Sequence, residues 1–149
     1  MKNIKKILSV FLALIMITSI IPMSSITASA LEQTGQCGDN VYWELNSNTG
    51  ELLITGEGEM WDYEYVYNSP FYSLSSIKKI VFEDNITRIG NCSFYYCQYL
   101  TEVSLPKNLI SIGDLAFAAC SKLTDISLPN GLVTIGGSAF ESCTALKEI

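Results

Sequence analysis

Between residues 77 and 149 apolar side chains recur every 23 residues, with no insertion or deletion. The consecutive units read IKKIVFEDNITRIGNCSFYYCQY, LTEVSLPKNLISIGDLAFAACSK and LTDISLPNGLVTIGGSAFESCTA, followed by the opening of a fourth, LKEI. The first position holds Ile77, Leu100, Leu123 and Leu146, and the fourth holds Ile80, Val103, Ile126 and Ile149. Phe82, Leu105 and Leu128 share the sixth position; Ile86, Leu109 and Leu132 share the tenth. An Ile-Gly pair recurs as Ile89-Gly90, Ile112-Gly113 and Ile135-Gly136, then Phe94, Phe117 and Phe140, then Cys97, Cys120 and Cys143.

This spacing predicts the elements of each unit. Alternate side chains of a strand share a face, so the fourth and sixth positions mark a short strand with its apolar side inward. Pro106 and Pro129 stop that strand because proline cannot donate to a ladder. The Ile-Gly pair suits a second short extended piece and a turn. Segments such as LAFAAC and SAFESC carry apolar residues at helical offsets and predict one or two helical turns. One unit cannot enclose its own apolar residues, whereas stacked units place like above like and build a continuous core. The predicted fold is an α/β repeat solenoid with short parallel strands, short helical turns and a core built on Phe94, Phe117, Phe140, Cys97, Cys120 and Cys143.

The pattern L-x-x-I-x-L-P-x-x-L-x-x-I-G-x-x-A-F-x-x-C, matched over residues 100 to 145, resembles the BspA-type leucine-rich repeat of bacterial surface proteins. The first unit departs from it at Glu83 and at Asn91-Cys92-Ser93, as terminal repeats commonly do. The resemblance implies a secreted or cell-surface binding module that adheres to host or neighbouring-cell proteins or matrix.

The preceding residues divide in two. Lys2, Lys5 and Lys6, an apolar run from Ile7 to Ile21 and the small residues ending Ala28-Ser29-Ala30 form a secretory signal peptide over residues 1–30. The run is shorter than the roughly 20 residues a spanning helix requires. Residues 31–76 are expected to form an N-terminal cap. Val41, Trp43 and Leu45 alternate, Asn46 to Gly50 is rich in turn formers, and Leu52 to Thr55 returns, which together predict a β-hairpin covering the first repeat strand. The flank CGDNVYWELNSNTGELLITGEGEM also resembles that found before BspA-type repeats.

Charge narrows the partners. All fifteen acidic residues but only six of nine basic ones follow residue 30, a formal −9 for the exported chain. Such a field repels nucleic acid. Histidine is absent, which excludes Ser-His-Asp, Cys-His and H-E-x-x-H chemistry within these residues. With no histidine and no C-x-x-C pair, a zinc site is not expected, nor is any cofactor. Asn85-Ile86-Thr87 and Asn91-Cys92-Ser93 fit the N-glycosylation pattern, which carries little weight in a chain resembling bacterial surface proteins. Of five cysteines, the three in one column read as small buried hydrophobes, leaving Cys37 and Cys92 as the pair free to bridge cap and repeats.

Two candidate binding surfaces remain. The first is the outer face of the repeat strands, where the columns vary: Lys79, Glu102, Asp125 and Glu148 in one, Val81, Ser104 and Ser127 in another. Glu102, Ser104, Asp125, Ser127 and Lys79 are the candidate partner-binding residues, suited to an extracellular protein or glycan; the carboxylates of Glu102, Asp125 and Glu148 could alternatively gather calcium. The second surface is Glu57 to Tyr72, where Glu57, Glu59, Asp62 and Glu64 interleave with Trp61, Tyr63, Tyr65, Tyr67, Phe71 and Tyr72. It predicts either packing of the cap onto the repeats, with Ser69-Pro70 starting a short helix, or a carbohydrate-active surface on Trp61, Tyr63 and Tyr65. Because LKEI opens a strand without completing a unit, the natural chain is expected to continue into further repeats or an anchor domain.

Overall fold

Strands form where the alternation puts them. A computed structural model of the chain describes residues 33–147; the expected signal segment, Glu148 and Ile149 lie outside the described residues. β1 (Gln33–Gln36), β2 (Val41–Asn46) and β3 (Glu51–Gly56) form an antiparallel meander. β3 then pairs in parallel with β5 (Lys79–Phe82), which is followed by β7 (Glu102–Ser104) and β9 (Asp125–Ile126), giving a six-stranded sheet ordered β1-β2-β3-β5-β7-β9. A second sheet stacks β4 (Gly58–Glu59), β6 (Ile86–Ile89), β8 (Ser111–Ile112) and β10 (Thr134–Ile135) in parallel. Pairing runs at the sequence period: Ile80 opposite Val103 opposite Ile126, and Ile89 opposite Ile112 opposite Ile135.

The meander is closed by local chemistry. Asn46 Oδ1 accepts from the N–H groups of Asn48 and Thr49, at 3.0 and 3.2 Å, and Gly50 takes a positive φ of 78°. Val41, Leu45, Leu52 and Ile54 are buried, and Tyr42 and Glu44 point outward.

The expected helical turns are not formed. Among the described residues there is no α-helix, and one 3-10 turn, Val66–Asn68, is the sole helical element. In the second unit the N–H groups of Leu115, Phe117 and Ala119 donate across to the carbonyls of Gly137, Ala139 and Glu141, at 3.0, 2.8 and 2.7 Å. The N–H groups of Ala118 and Cys120 instead close tight turns onto Leu115 and Phe117. An α-helix would instead direct its N–H groups along its own axis, the first four toward no intrahelical partner, rather than sideways to the next unit. The turns need left-handed residues, and these recur at the period: Cys92, Leu115 and Ser138, then Tyr96, Ala119 and Ser142, with φ between 53° and 63°. Ser69 starts no helix either. Its Oγ accepts from the N–H of Phe71 at 3.1 Å and donates to the carbonyl of Ser93.

Inside these three ladders the phenylalanines stack. Phe71 lies 4.9 Å from Phe94, Phe94 5.3 Å from Phe117 and Phe117 5.5 Å from Phe140, and Trp43 of the meander meets Phe71 edge-on at 5.4 Å. Phe71 thus belongs to the phenylalanine column, 23 residues before Phe94. Yet Leu52 pairs with Ile80, 28 residues on, and Glu59 with Arg88, 29 on. The layer holding β3 and β4 therefore carries extra residues between β4 and Phe71, where the aromatic and acidic segment lies.

Two polar columns join the layers as well. Asp62 Oδ1 accepts from the N–H of Asn91, Asn91 Oδ1 from that of Asp114, and Asp114 Oδ1 from that of Gly137, at 2.7, 2.8 and 2.6 Å. Thr101 and Thr124 donate their hydroxyls back to the carbonyls of Lys78 and Thr101, at 3.0 and 3.3 Å.

The cysteines fill a column of their own. Cys97, Cys120 and Cys143 each donate Sγ–H to the carbonyl of the preceding layer's phenylalanine, Phe71, Phe94 and Phe117, at 3.2, 3.3 and 3.1 Å. All five cysteines are buried free thiols, so Cys37 and Cys92 are not bridged. Burial pushes the Cys37 and Cys97 thiols up to about 12 and raises those of Cys92, Cys120 and Cys143. The thiolate is the reactive species. The native protein is therefore expected to be inert to a thiol-specific reagent at mildly alkaline pH and to release five thiols on unfolding; four or fewer, or fast native labelling, contradicts this packing.

Candidate functional site

The outer face of the first sheet collects the variable columns. Register places Asn46, Glu51, Lys79, Glu102 and Asp125 in one row across β2, β3, β5, β7 and β9. Leu53, Val81 and Ser104 form the next row, with Glu44 of β2 opposite Leu53. Ser127 follows β9 and is exposed. Strands about 4.8 Å apart bring such side chains within reach of one another, and Lys79 Nζ lies 3.0 Å from Glu102 Oε1. That hydrogen bond, then the charges of Glu102 and Glu51, hold the Lys79 ammonium above its ordinary range. One cation among three carboxylates leaves the row acidic. The sheet thus brings Glu102, Ser104, Asp125, Ser127 and Lys79 onto one face.

The aromatic and acidic segment divides. Trp61 and Asp62 follow β4, which pairs with β6, and Met60, between β4 and Trp61, forms an isolated antiparallel bridge with Gly38. The N–H of Trp61 donates to the carbonyl of Cys37 at 2.7 Å, and its indole Nε1–H to Asp39 Oδ1 at 3.0 Å. Asp62 Oδ1 receives Arg88 Nη2 at 2.7 Å as well as the N–H of Asn91. Burial alone would raise the Asp62 carboxyl, but the hydrogen bonds from Arg88 and Asn91 and the Arg88 charge outweigh it and hold the group below the usual carboxylate value. Asp39, Trp61, Asp62 and Arg88, with Glu57 and Glu59, line a cleft of about 460 Å³.

The three aromatics proposed as one carbohydrate surface are not brought together in one arrangement. Trp61 is 42 % exposed in the cleft wall, and Tyr65 is stacked on Tyr67 in the open, with ring centroids 5.5 Å apart. Tyr63 turns inward: its hydroxyl is buried with no hydrogen-bond partner among the described residues, and burial, then the nearby Cys37, raises its pKa. The cleft also gains two residues that the sequence did not point to, Asp39 and Arg88. Neither is near Trp61 in sequence, and the bridge and the β4–β6 pairing that assemble them leave no local pattern.

A profile of the BspA type leucine rich repeat region matches residues 64–149, in six copies. Among solved structures, a leucine-rich repeat protein from Eubacterium ventriosum is 26 % identical at a TM-score of 0.61, over 74 % of this chain and 36 % of that one. A leucine-rich repeat protein of T. pallidum is 24 % identical at a TM-score of 0.54, over 70 % of this chain and 54 % of that one. The chain thus spans about a third of the first and about half of the second. No curated protein sequence matches it. Among the described residues no helix is long and apolar enough to cross a membrane.

Proposed function

The chain belongs to the BspA-type leucine-rich repeat family, and on that premise we propose that it is a secreted or cell-surface, non-catalytic adhesion module that binds an extracellular protein on the outer face of its six-stranded sheet. Leucine-rich repeat arrays are typically binding folds that offer an extended surface. The observation that carries the reading is the continuity of one sheet from meander to repeats, which sets Asn46, Glu51, Lys79, Glu102 and Asp125 in an unbroken row. The carboxylates of the row are exposed, the row is acidic and it is bordered by Leu53 and Val81, so the partner is a protein presenting basic groups beside an apolar strip. A catalytic reading has less to stand on. A carboxyl acting as general acid has its pKa raised, whereas the hydrogen bonds from Arg88 and Asn91 hold Asp62 below the usual carboxylate value, which does not suit it to that role.

The test is capture of the protein, from residue 31 onward, by immobilised extracellular matrix proteins. The double charge reversal Glu102→Lys with Asp125→Lys alters two exposed side chains and leaves the core intact. It is expected to weaken capture at least about tenfold, with the wild-type interaction itself weakening as salt rises. Full retention by the double variant sinks the assignment to this face. In the same experiment Trp61→Ala is expected to bind matrix protein as the wild type does.

A further inference from the structure

We propose that the cleft beside β4 is a saccharide-binding site for a neutral or amino-bearing sugar, separate from the protein-binding sheet. The cleft is built on the layer that breaks the 23-residue period. Insertions within a repeat emerge as loops on one face of the array, often the face that binds. Here Trp61 and Asp62 still keep register with Gly90 and Asn91 and lie just before the extra residues, and their positions are fixed by bonds to three other segments: Cys37 and Asp39, Arg88, and Asn91. An exposed indole held at both its backbone and its ring nitrogen is a preorganised flat surface.

The chemistry of the wall selects the ligand. Saccharide rings carry an apolar C–H face, which stacks on an indole, and a rim of hydroxyls that each donate and accept. Asp39 and Asp62 each have one oxygen engaged, and no bond within the described residues occupies the other. Glu57 and Glu59 are exposed acceptors on the same cleft, and Arg88 supplies donors. A purely apolar ligand would leave these carboxylates desolvated and unpaired. A uronate, sulfated sugar or phosphate meets four carboxylates against one guanidinium, whereas an amino group is welcome. A volume of about 460 Å³ suits one or two sugar rings.

The protein has two tryptophans, so Trp43→Phe makes Trp61 the sole indole reporter. This variant is titrated with cello-oligosaccharides, chitosan oligosaccharides, oligogalacturonates and oligolysine. A saturable change in Trp61 emission at millimolar or lower concentration with either of the first two, and none with oligogalacturonate, is expected. In calorimetry on the otherwise native chain, Trp61→Ala should abolish the saccharide heat. Glu57→Lys with Glu59→Lys, on two exposed side chains, should shift preference toward oligogalacturonate at least tenfold. A response confined to oligogalacturonate, a response confined to oligolysine, which would mark a basic-peptide site, or no response to any probe overturns the proposal. Each of these leaves the matrix-protein result on the sheet face untouched.

Discussion

Phe94→Ala is expected to lower the free energy of unfolding by about 3–5 kcal/mol. The ring is fully buried, lies between Phe71 and Phe117, and meets Phe82 edge-on at 6.0 Å. Its removal leaves a ring-sized gap that neighbours cannot close, because each is fixed by its own layer's ladder. The backbone bonds remain: the N–H of Phe94 still reaches Ala116, and its carbonyl still receives Cys97 N–H and Cys120 Sγ–H. The loss is therefore one of packing rather than of hydrogen bonding. Net stabilities of domains this size are of order 5–15 kcal/mol, so the variant unfolds at far lower denaturant. Phe140→Ala supplies the comparison, since Phe140 is only partly buried and stacks on Phe117 alone among the described phenylalanines. Denaturant unfolding followed by circular dichroism should rank Phe94→Ala well below Phe140→Ala; equal effects, or less than about 1 kcal/mol at Phe94, would show that the column is not the core.

Gly90→Ala is expected to destabilise the protein by about 1–3 kcal/mol, opposite in sign to the usual effect of replacing a flexible glycine. The φ of Gly90 is not left-handed, so the reason is space. A Cβ there would run into the carbonyl group of Trp61 and crowd the N–H of Asp62, all backbone, with no side chain able to swing away. Relief requires the Trp61-Asp62 segment to shift, which strains the Asp62 contacts to Arg88 and Asn91 and opens the cleft. Trp61 emission should move with the loss of stability. Gly131→Ala is the control, because its nearest neighbour would be the Leu109 carbonyl at 3.9 Å and little should change. If both substitutions behave alike, the close approach of the repeats to the inserted layer is not real.

The columns that were legible in the sequence are those that bury carbon. Ile80, Val103 and Ile126, or Phe94, Phe117 and Phe140, recur because like must stack on like, and the parallel registers follow from that period alone. The turns after the Ile-Gly pairs read as helical because Ala, Phe and Cys have the spacing of a helix. Nothing in Cys92, Leu115 and Ser138 marks a left-handed residue, a conformation usually signalled by Gly or Asn. No fixed residue type marks the position that holds Asn91 and Asp114, yet its side-chain oxygens bind the next layer's backbone. The early layer stayed hidden because its extra residues break the count between Glu59 and Phe71. For the same reason Trp61 could be flagged as unusual, but not its partners Asp39 and Arg88, which only the folded ladder delivers.

The most direct measurement is a residue-resolved footprint, by backbone amide chemical-shift perturbation, of the matrix protein retained in the capture experiment. The proposed binding surface predicts perturbations along Glu51, Lys79, Val81, Glu102, Ser104, Asp125 and Ser127, with Trp61 and Arg88 unmoved. Perturbations confined to the Trp61 cleft or to the exposed tyrosines, with the row from Glu51 to Asp125 silent, would contradict it.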